Sequence, residues 1–361
     1  MSGLQITHET HPAPTPDDRV AEILAAPGFG THFTDHMLTL EWTPDQGWHA
    51  GRVTAYGPLS LDPATAVLHY AQEIFEGMKA YRHEDGSVWM FRAEENAKRM
   101  LSSSRRLALP ELPVEDFLSC VEALVRADAR WVPDAAGEKS LYLRPFMFAS
   151  EAFLGVRPSQ HVTFMVIASP AGAYFAKGVR PVSIWLTEEY TRAGRGGMGA
   201  AKTGGNYASS LIAQQEAVQH GCDQVVFLDA AEGRFVEELG GMNMYFVHDD
   251  GSIGTPETGT ILEGITRSAI IELARAAGHE VTERRISIDE WREGVASGRI
   301  TEVFACGTAA VVTPVGTLRW EGGEVGTGED VGPVTRKIRQ ALVDVQYGRA
   351  DDAFGWMTKV C

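Results

Sequence analysis

The segment best suited to covalent chemistry runs from residue 202 to 210 and reads KTGGNYASS. Its paired glycines place Lys202 on irregular backbone rather than along a helix surface. A lysine amine attacks carbonyl groups once it is neutral, and a desolvated pocket with nearby cations favours the neutral form. A solvated loop lysine is the ordinary alternative, so the interpretation depends on other segments of the chain.

Two further segments carry groups suited to a charged ligand. Residues 235–243 read FVEELGGMN, and strand alternation would turn either Glu237 or Glu238 inward, although adjacent exposed glutamates are also common. Residues 262–267 read LEGITR, which puts Gly264 and Thr266 just ahead of an amphipathic helix. That is the outline of an anion-binding helix N-terminus, although such a threonine often only caps its helix.

Two shorter segments complete the set. Residues 306–310 read CGTAA and form a glycine turn after a buried strand. Residues 96–100 read NAKRM, in which Arg99 either serves a ligand or pairs with Glu95 at i,i+4 spacing.

The glycines before Lys202 also permit a dinucleotide-binding interpretation. Gly194, Gly196 and Gly199 satisfy the GxGxxG spacing, but the AAKTGG that follows does not open a helix and no βαβ unit surrounds it. A phosphate-binding P-loop is weaker still, because Ala201 stands where that motif needs its second glycine.

In this order, the segments resemble the fold-type IV enzymes that use pyridoxal 5′-phosphate. EIFEGMKAY at 73–81 and SLYLRP at 140–145 narrow the resemblance to the branched-chain amino-acid aminotransferases, over about residues 33–347. The resemblance implies an α/β chain of the α+β two-domain kind, with a smaller N-terminal domain, a larger C-terminal domain and the cofactor at the domain interface. It also implies amino-group transfer between leucine, isoleucine or valine and 2-oxoglutarate.

The same resemblance assigns the cofactor residues. Lys202 would form the Schiff base and then move the proton from the substrate Cα to the cofactor C4′. Glu238, rather than Glu237, would pair with the pyridine nitrogen, and Tyr207 would hydrogen-bond the ring O3′. The residues expected to hold the phosphate are Arg99, Ile265, Thr266 and Thr308.

The resemblance also implies a substrate pocket and a homodimer. Apolar walls are expected from Phe33, Phe75, Tyr142 and Tyr207, with Tyr70, Leu154 and Val156 reaching over from the partner subunit. The α-carboxylate would meet backbone amides at Ala309 and Ala310, and Arg144 would pair with the second carboxylate of glutamate or 2-oxoglutarate.

Four positions depart from the family pattern. Gly241 stands where animal enzymes have a pocket threonine, and Ala310 and Thr313 replace an animal CxxC pair, so no thiol switch is expected. Glu263 replaces a common proline, and a carboxylate there is compatible with a bound phosphate only if it points to solvent. The alternatives are a D-amino-acid transaminase or aminodeoxychorismate lyase of the same fold, and a non-catalytic paralogue that serves binding or assembly.

The elements that must position these groups follow from periodicity and turn residues. We expect helices at 91–107, 114–131, 207–219, 266–277, 289–297 and 332–346, a short helix or turn at 63–78, and extended chain at 37–56. We expect strands at 140–149, 161–169, 179–186, 223–229, 234–239, 244–248, 282–286 and 303–306. The break around Pro170 and Gly172 predicts a first domain at 1–170, a linker at 171–180 and a second domain at 181–361 carrying the lysine.

Composition limits the partners of this chain. With 361 residues, 44% hydrophobic residues and a net charge of −16, it is a folded acidic chain that would repel nucleic acid and anionic membranes. The four cysteines are scattered without metal-like spacing, so no metal site is predicted. The polar N-terminus lacks the pattern of a signal peptide, which favours a cytoplasmic location.

Overall fold

The structure is a computed structural model that describes residues 3–173 and 178–361. The chain divides into two compact units. The first comprises Met1–Tyr174, Ala201–Gly204 and Val345–Cys361, and the second comprises Phe175–Ala200 and Gly205–Asp344. The first unit thus includes the C-terminal segment that the predicted boundaries gave to the second domain. The linker at 171–180 stays a prediction, and its residues 174–177 lie outside the described residues.

The described chain contains runs of consecutive strands separated by helices. The strands are β1 (Ile6–His8), β2 (His36–Thr43), β3 (Gly47–Ala55), β4 (Glu73–Phe75), β5 (Met78–Arg82), β6 (Val88–Phe91), β7 (Ser140–Ala149), β8 (Val162–Ala171), β9 (Val182–Leu186), β10 (Gln224–Leu228), β11 (Val236–Leu239), β12 (Met242–His248), β13 (Ile253–Thr255), β14 (Val281–Glu283), β15 (Ile300–Gly307), β16 (Val311–Trp320), β17 (Gly323–Gly326) and β18 (Met357–Lys359). The helices are α1 (Asp17–Ala25), α2 (Val67–Tyr70), α3 (Ala93–Leu107), α4 (Val114–Ala127), α5 (Gly204–Ala208), α6 (Leu211–Gln219), α7 (Ile265–Ala276), α8 (Ile288–Ser297) and α9 (Pro333–Gln346).

The first unit is built on a sheet of order β1-β3-β2-β8-β7-β5-β6-β18, with β4 also paired to β7. Helix α4 packs on this sheet through an apolar face that includes Phe117, Val121 and Leu124. Helix α3 has acidic residues in its first turn and arginines in its last turn, an arrangement that favours the helix dipole. Its buried face also carries the polar residues Asn96 and Ser103, which makes it a candidate support for a site.

The second unit is built on a sheet of order β11-β10-β9-β16-β15-β12-β13-β14. An additional pairing of β11 with β12 closes a ring of strands around an apolar core. In this ring Glu238 lies opposite Asn243, and Asn243 lies opposite Cys306. The turns that follow β11 and β15 therefore lie side by side at one end of the ring.

Two predicted elements need correction, and one long strand is absent from the prediction. The single helix predicted at 207–219 is broken into α5 and α6, because the hydroxyls of Ser209 and Ser210 bond back to the carbonyls of Asn206 and Tyr207 at 2.9 and 2.7 Å. The helix or turn predicted at 63–78 contains only the short α2, which ends at Ala71 in the left-handed conformation before β4 begins. Strand β16 was not predicted at all.

Every helix among the described residues is too short or too polar to traverse a lipid bilayer.

Candidate active site

Lys202 lies in the first unit, and both of its backbone polar groups are bonded there. Its N–H donates to Ser103 Oγ at 3.0 Å, and its carbonyl accepts the N–H of Phe75 at 2.9 Å. The side-chain Nζ lies 4.5 Å from the centre of the Phe75 ring. The lysine is therefore anchored through its main chain on α3 and β4, with its amine over an aromatic face.

Glu73 holds the turn that follows Lys202. Its Oε1 accepts the Thr203 hydroxyl at 3.1 Å and also accepts the N–H of Gly204. Burial raises the pKa of Glu73, while its bonds to Gly204 and Thr203 and the nearby Arg144 act in the opposite direction. These bonds tie residues 203 and 204 to β4, which explains why this short segment belongs to the first unit.

Arg99 does not pair with Glu95, the alternative left open by its helical spacing. Its Nε and Nη2 donate to the two oxygens of Glu76 at 2.8 and 2.7 Å, and Asn96 Nδ2 donates to the same carboxylate at 2.8 Å. Glu95 pairs instead with Lys98. The guanidinium predicted to hold a phosphate is thus fixed by a buried carboxylate.

The predicted substrate residues Phe75, Tyr142 and Arg144 come together on β4 and β7. The guanidinium carbon of Arg144 lies 4.8 Å from the Phe75 ring centre and 5.5 Å from that of Tyr142. Its Nη2 is 3.4 Å from the Tyr142 hydroxyl, and its buried Nε has no hydrogen-bond partner in the described part of the chain. Aromatic faces rather than a carboxylate therefore hold this arginine.

The residues predicted to serve a neighbouring subunit are exposed in the single chain. Leu154 and Val156 are 74% and 90% exposed, and Tyr70 is also exposed. The Tyr70 hydroxyl donates to the Leu154 carbonyl at 2.6 Å, so these groups form one apolar surface. Phe33 stacks on Tyr56 with the ring centres 5.0 Å apart.

Glu238 is the buried carboxylate of the second unit, with 1% of its surface exposed. Its Oε1 accepts the N–H of Leu262 at 2.9 Å and lies 3.5 Å from Asn243 Nδ2. Its Oε2 lies 2.8 Å from Nη1 of Arg192, which is also buried. This carboxylate is thus faced by an arginine ten residues before the lysine.

Glu237 is buried as well, at 6% exposure, and accepts the Thr260 hydroxyl. Burial raises the pKa of Glu237, the Thr260 bond opposes the shift and the nearby Asp229 adds to it. Strand alternation sends the two glutamates to different partners, and both sides of β11 are covered. The expectation that only one of the pair turns inward was wrong for this reason.

Tyr207 packs against the turn that follows β11. A Cβ built on Gly241 would lie 3.0 Å from Cε1 of Tyr207, which is tight for an ordinary contact. Gly241, which stands where animal enzymes have a threonine, therefore leaves room for the Tyr207 ring.

Helix α7 begins at Ile265 with an N-terminus that no side chain caps. Ile265 and Thr266 are buried there, and the first turn contains no acidic residue. Gly264 is required by close packing, because a Cβ would lie 2.0 Å from Asn243 Oδ1. Glu263 is exposed, which is the condition under which its carboxylate is compatible with an anion at this terminus.

The predicted carboxylate-binding residues lie in the turn between β15 and β16. Thr308, Ala309 and Ala310 form this turn, and the next residue, Val311, has a φ of +62°. A positive φ is costly for a β-branched residue, and such strain concentrates at functional sites. The positive φ of Val311 could not be predicted from the sequence.

The residues present fit a phosphorylated pyridine aldehyde. The first unit supplies an amine held on irregular backbone and an oriented guanidinium. The second supplies a buried carboxylate suited to a ring nitrogen and an uncapped helix N-terminus suited to a dianion. Each unit, taken by itself, thus carries groups that suit part of pyridoxal 5′-phosphate.

Comparison with known proteins defines the class of this chain. The model of the amino-transferase class IV family matches residues 73–318, and the chain belongs to that family. It is 58% identical to a probable branched-chain-amino-acid aminotransferase of Streptomyces coelicolor over 95% of each chain. It is 52% identical to the branched-chain-amino-acid aminotransferase of Mycolicibacterium smegmatis over 99% of this chain and 98% of that one.

Solved structures agree with this class. A branched-chain amino acid aminotransferase from T.th., crystallised with pyridoxamine 5′-phosphate, superposes with a TM-score of 0.75 at 31% identity, covering 89% of this chain and 98% of the other. Other crystals of that enzyme contain N-(5′-phosphopyridoxyl)-L-glutamate or 4-methylvaleric acid. The predicted family and α+β fold class are confirmed.

Sequence reasoning missed the residues that hold the predicted ones in place. These are Glu73, Glu76, Ser103, Arg192 and Asn243. Glu73 and Glu76 belong to the EIFEGMKAY segment, and two carboxylates in an otherwise apolar strand were a usable signal. Ser103 and Arg192 carried no comparable signal.

Proposed function

We propose that this chain is a pyridoxal-phosphate-dependent branched-chain-amino-acid aminotransferase. It moves the amino group between leucine, isoleucine or valine and 2-oxoglutarate, and yields branched-chain 2-oxo acids and glutamate. The observation that carries the proposal is the anchoring of Lys202 by Ser103 and Phe75, which presents a single amine on rigid main chain. The names of its curated relatives support the same activity.

Lys202 and Glu238 divide the chemistry between them in this proposal. The cofactor, when bound, supplies an electron sink for the bond at the substrate Cα. Lys202 binds the cofactor aldehyde and later carries the proton between Cα and C4′. Glu238, which lies beside Arg192, would hold the ring nitrogen in its protonated form. Tyr207 donates to the ring oxygen O3′.

The phosphate is assigned to a cation and to backbone donors. Arg99 offers its guanidinium, Ile265 and Thr266 offer the N-terminus of α7, and Thr308 offers its hydroxyl. Charge-assisted bonds of this kind hold a dianion within an acidic protein.

In this proposal the substrate side chain contacts apolar residues and, when it carries a carboxylate, also one arginine. Phe75, Tyr142 and Tyr207 contact methyl groups, while Arg144 meets the second carboxylate of glutamate. The arginine suits this role because aromatic faces hold it and its Nε has no hydrogen-bond partner in the part of the chain described. The α-carboxylate binds the amides at Ala309 and Ala310.

A homodimer completes the proposed site. Tyr70, Leu154 and Val156 form an exposed apolar surface that contributes little to the fold of its own chain. Such a surface is expected to be covered by a partner. The cytoplasmic location predicted from the sequence accompanies this proposal and stays a prediction.

The decisive experiment is a survey of half-reactions. The purified protein is loaded with pyridoxal 5′-phosphate and mixed with each amino acid, and its absorbance is followed to the pyridoxamine form. Conversion by L-leucine, L-isoleucine, L-valine and L-glutamate is expected. Conversion by D-alanine alone would favour a D-amino-acid transaminase, and failure to bind the cofactor would favour a non-catalytic paralogue.

A further inference from the structure

Glu76 is a buried carboxylate that the proposed chemistry does not use. It is 0% exposed and lies between β4 and β5. Both of its oxygens are bonded: Oε1 accepts Arg99 Nε at 2.8 Å, and Oε2 accepts Arg99 Nη2 at 2.7 Å and Asn96 Nδ2 at 2.8 Å. The N–H of Gly77 adds a longer contact of 3.3 Å to Oε2.

Burying a carboxylate this completely is costly unless the charge is paired and its lone pairs are satisfied. An apolar residue at the same position would avoid that cost. Asn96 and Arg99 lie three residues apart on α3, so they reach Glu76 from one helix face. The arrangement therefore fixes one side chain, Arg99, at a considerable desolvation cost.

The two parallel bonds have a geometric consequence for Arg99. A bidentate pair fixes the plane of the guanidinium as well as its position. Glu76 occupies the edge formed by Nε and Nη2, so an anion cannot bind along that edge. The carboxylate also offsets the charge of the arginine, which by itself weakens the attraction of any anion.

From this geometry we propose that Glu76 is a positioning residue for the cofactor phosphate. It orients the guanidinium of Arg99 so that a phosphate ester is preferred over the same ligand without phosphate. The inference rests on the proposed function, because it takes pyridoxal 5′-phosphate as the ligand. It assigns Glu76 a role in cofactor selectivity that is separate from the anchoring role of Glu73.

The test compares pyridoxal 5′-phosphate with pyridoxal, which carries the same aldehyde and ring without the phosphate. The purified holoenzyme is converted to its apo form, and both dissociation constants are measured by absorbance titration. The readout is the ratio of the pyridoxal constant to the pyridoxal-phosphate constant. Wild type, Glu76→Gln, Glu76→Asp and Glu73→Gln are compared after their melting temperatures establish that each is folded.

The ratio is expected to fall about tenfold or more in Glu76→Gln and in Glu76→Asp, the scale of one lost charge-assisted bond. The aspartate keeps the negative charge but is one methylene too short to accept both bonds from Arg99. It therefore separates the effect of orienting Arg99 from the effect of the charge. Glu73→Gln is the matched control. It removes a half-buried carboxylate that holds the turn of Lys202, so both ligands should weaken together and the ratio should stay within about twofold of wild type.

Two results would overturn the role of Glu76. An unchanged or higher ratio in Glu76→Gln would mean that the carboxylate only balances charge, and a wild-type ratio in Glu76→Asp would mean the same. If Glu76→Gln does not fold, Glu76→Asp decides alone. A wild-type protein that binds no pyridoxal 5′-phosphate would instead remove the proposed function itself, so the two failures are distinguishable.

Discussion

Ser103 accepts the backbone N–H of Lys202 at 3.0 Å, although the two residues are 99 positions apart in the chain. Ser103 lies on the same helix, α3, as Asn96 and Arg99, and Asn96 and Ser103 belong to its buried face. One rigid helix thus anchors the main chain of the proposed nucleophile and also carries the proposed phosphate arginine. Rigid elements keep such groups in register better than loops do.

Ser103→Ala should lower kcat about three- to tenfold, because it leaves the Lys202 N–H without its partner and loosens the lysine. An unsatisfied buried donor costs about 1–3 kcal/mol, so the melting temperature should also fall by several degrees. Ser104→Ala is the matched control, since the neighbouring hydroxyl makes only a 3.9 Å contact with Met147 Sδ. Equal effects of the two variants on kcat would remove Ser103 from the support of the site.

Lys202→Ala should reduce leucine transamination by more than about a thousandfold, because one amine serves as nucleophile and as proton carrier. Single-turnover absorbance with L-leucine measures this directly. Lys98→Ala should have no effect, as Lys98 is an exposed residue paired with Glu94 and Glu95. Turnover by the Lys202 variant at a rate near that of wild type would refute the assignment.

Glu238→Gln should lower kcat by about a hundredfold, the scale of losing one preorganised charge at a reacting group. It should also lower the melting temperature, because Arg192 would lose the charge it faces at 2.8 Å. Glu237→Gln should keep kcat within about threefold of wild type. The reverse order of effects would show that the motif register is shifted by one residue.

The Glu237→Gln variant also tests a pH dependence. Burial raises the pKa of Glu237 above its ordinary value of 4.5, so the folded protein holds this proton more tightly than the unfolded chain. Wild-type stability should therefore decline as pH rises from about 4.5 to the raised folded value, and the glutamine variant should lack that decline. Melting temperatures measured between pH 4 and pH 8 should show a relative gain for the variant that grows with pH.

The positions of the reactive groups could be predicted because short segments carry them. The structure places Lys202 just before α5, Glu238 within β11 and Thr266 in the first turn of α7. The residues that hold them could not be predicted in the same way. Glu73 bonds Gly204 across 131 residues, and no local pattern encodes such a partner.

Strand β16 shows a second limit of local patterns. Pro314 and Gly316 interrupt its alternation, and both residues argue against a central strand. Pro314 is tolerated because it pairs with Phe304 of β15, while pairing with β9 on the other side begins only at Val315. Pro314 lacks a backbone N–H, but it therefore loses no hydrogen bond to β9. This can be seen only once the order of strands in the sheet is known.

Val156→Asp should weaken the proposed homodimer, because it places a charge in the apolar surface that includes Leu154 and Tyr70. The side chain is 90% exposed in the single chain, so folding of that chain should be unaffected. Sedimentation velocity at assay concentration should show a shift from dimer toward monomer, together with a parallel loss of activity. A wild-type monomer with full activity at the same concentration would contradict the shared site.

Arg144→Met tests how one pocket accepts both leucine and glutamate. An apolar wall should reject the second carboxylate by several kcal/mol unless a counter-charge is present. The variant should therefore slow the glutamate and 2-oxoglutarate half-reactions by about ten- to a hundredfold, or about 1.4–2.8 kcal/mol, while leucine changes much less. The structure favours this outcome, because Arg144 lies against Phe75 and Tyr142 and no carboxylate bonds its Nε among the described residues.

Methionine keeps much of the apolar contact with both rings, so the stability of the Arg144→Met variant should change little. If Arg144 instead only supports β7, both half-reactions and the melting temperature should fall together, and single-turnover rates measured beside thermal melts separate the two outcomes.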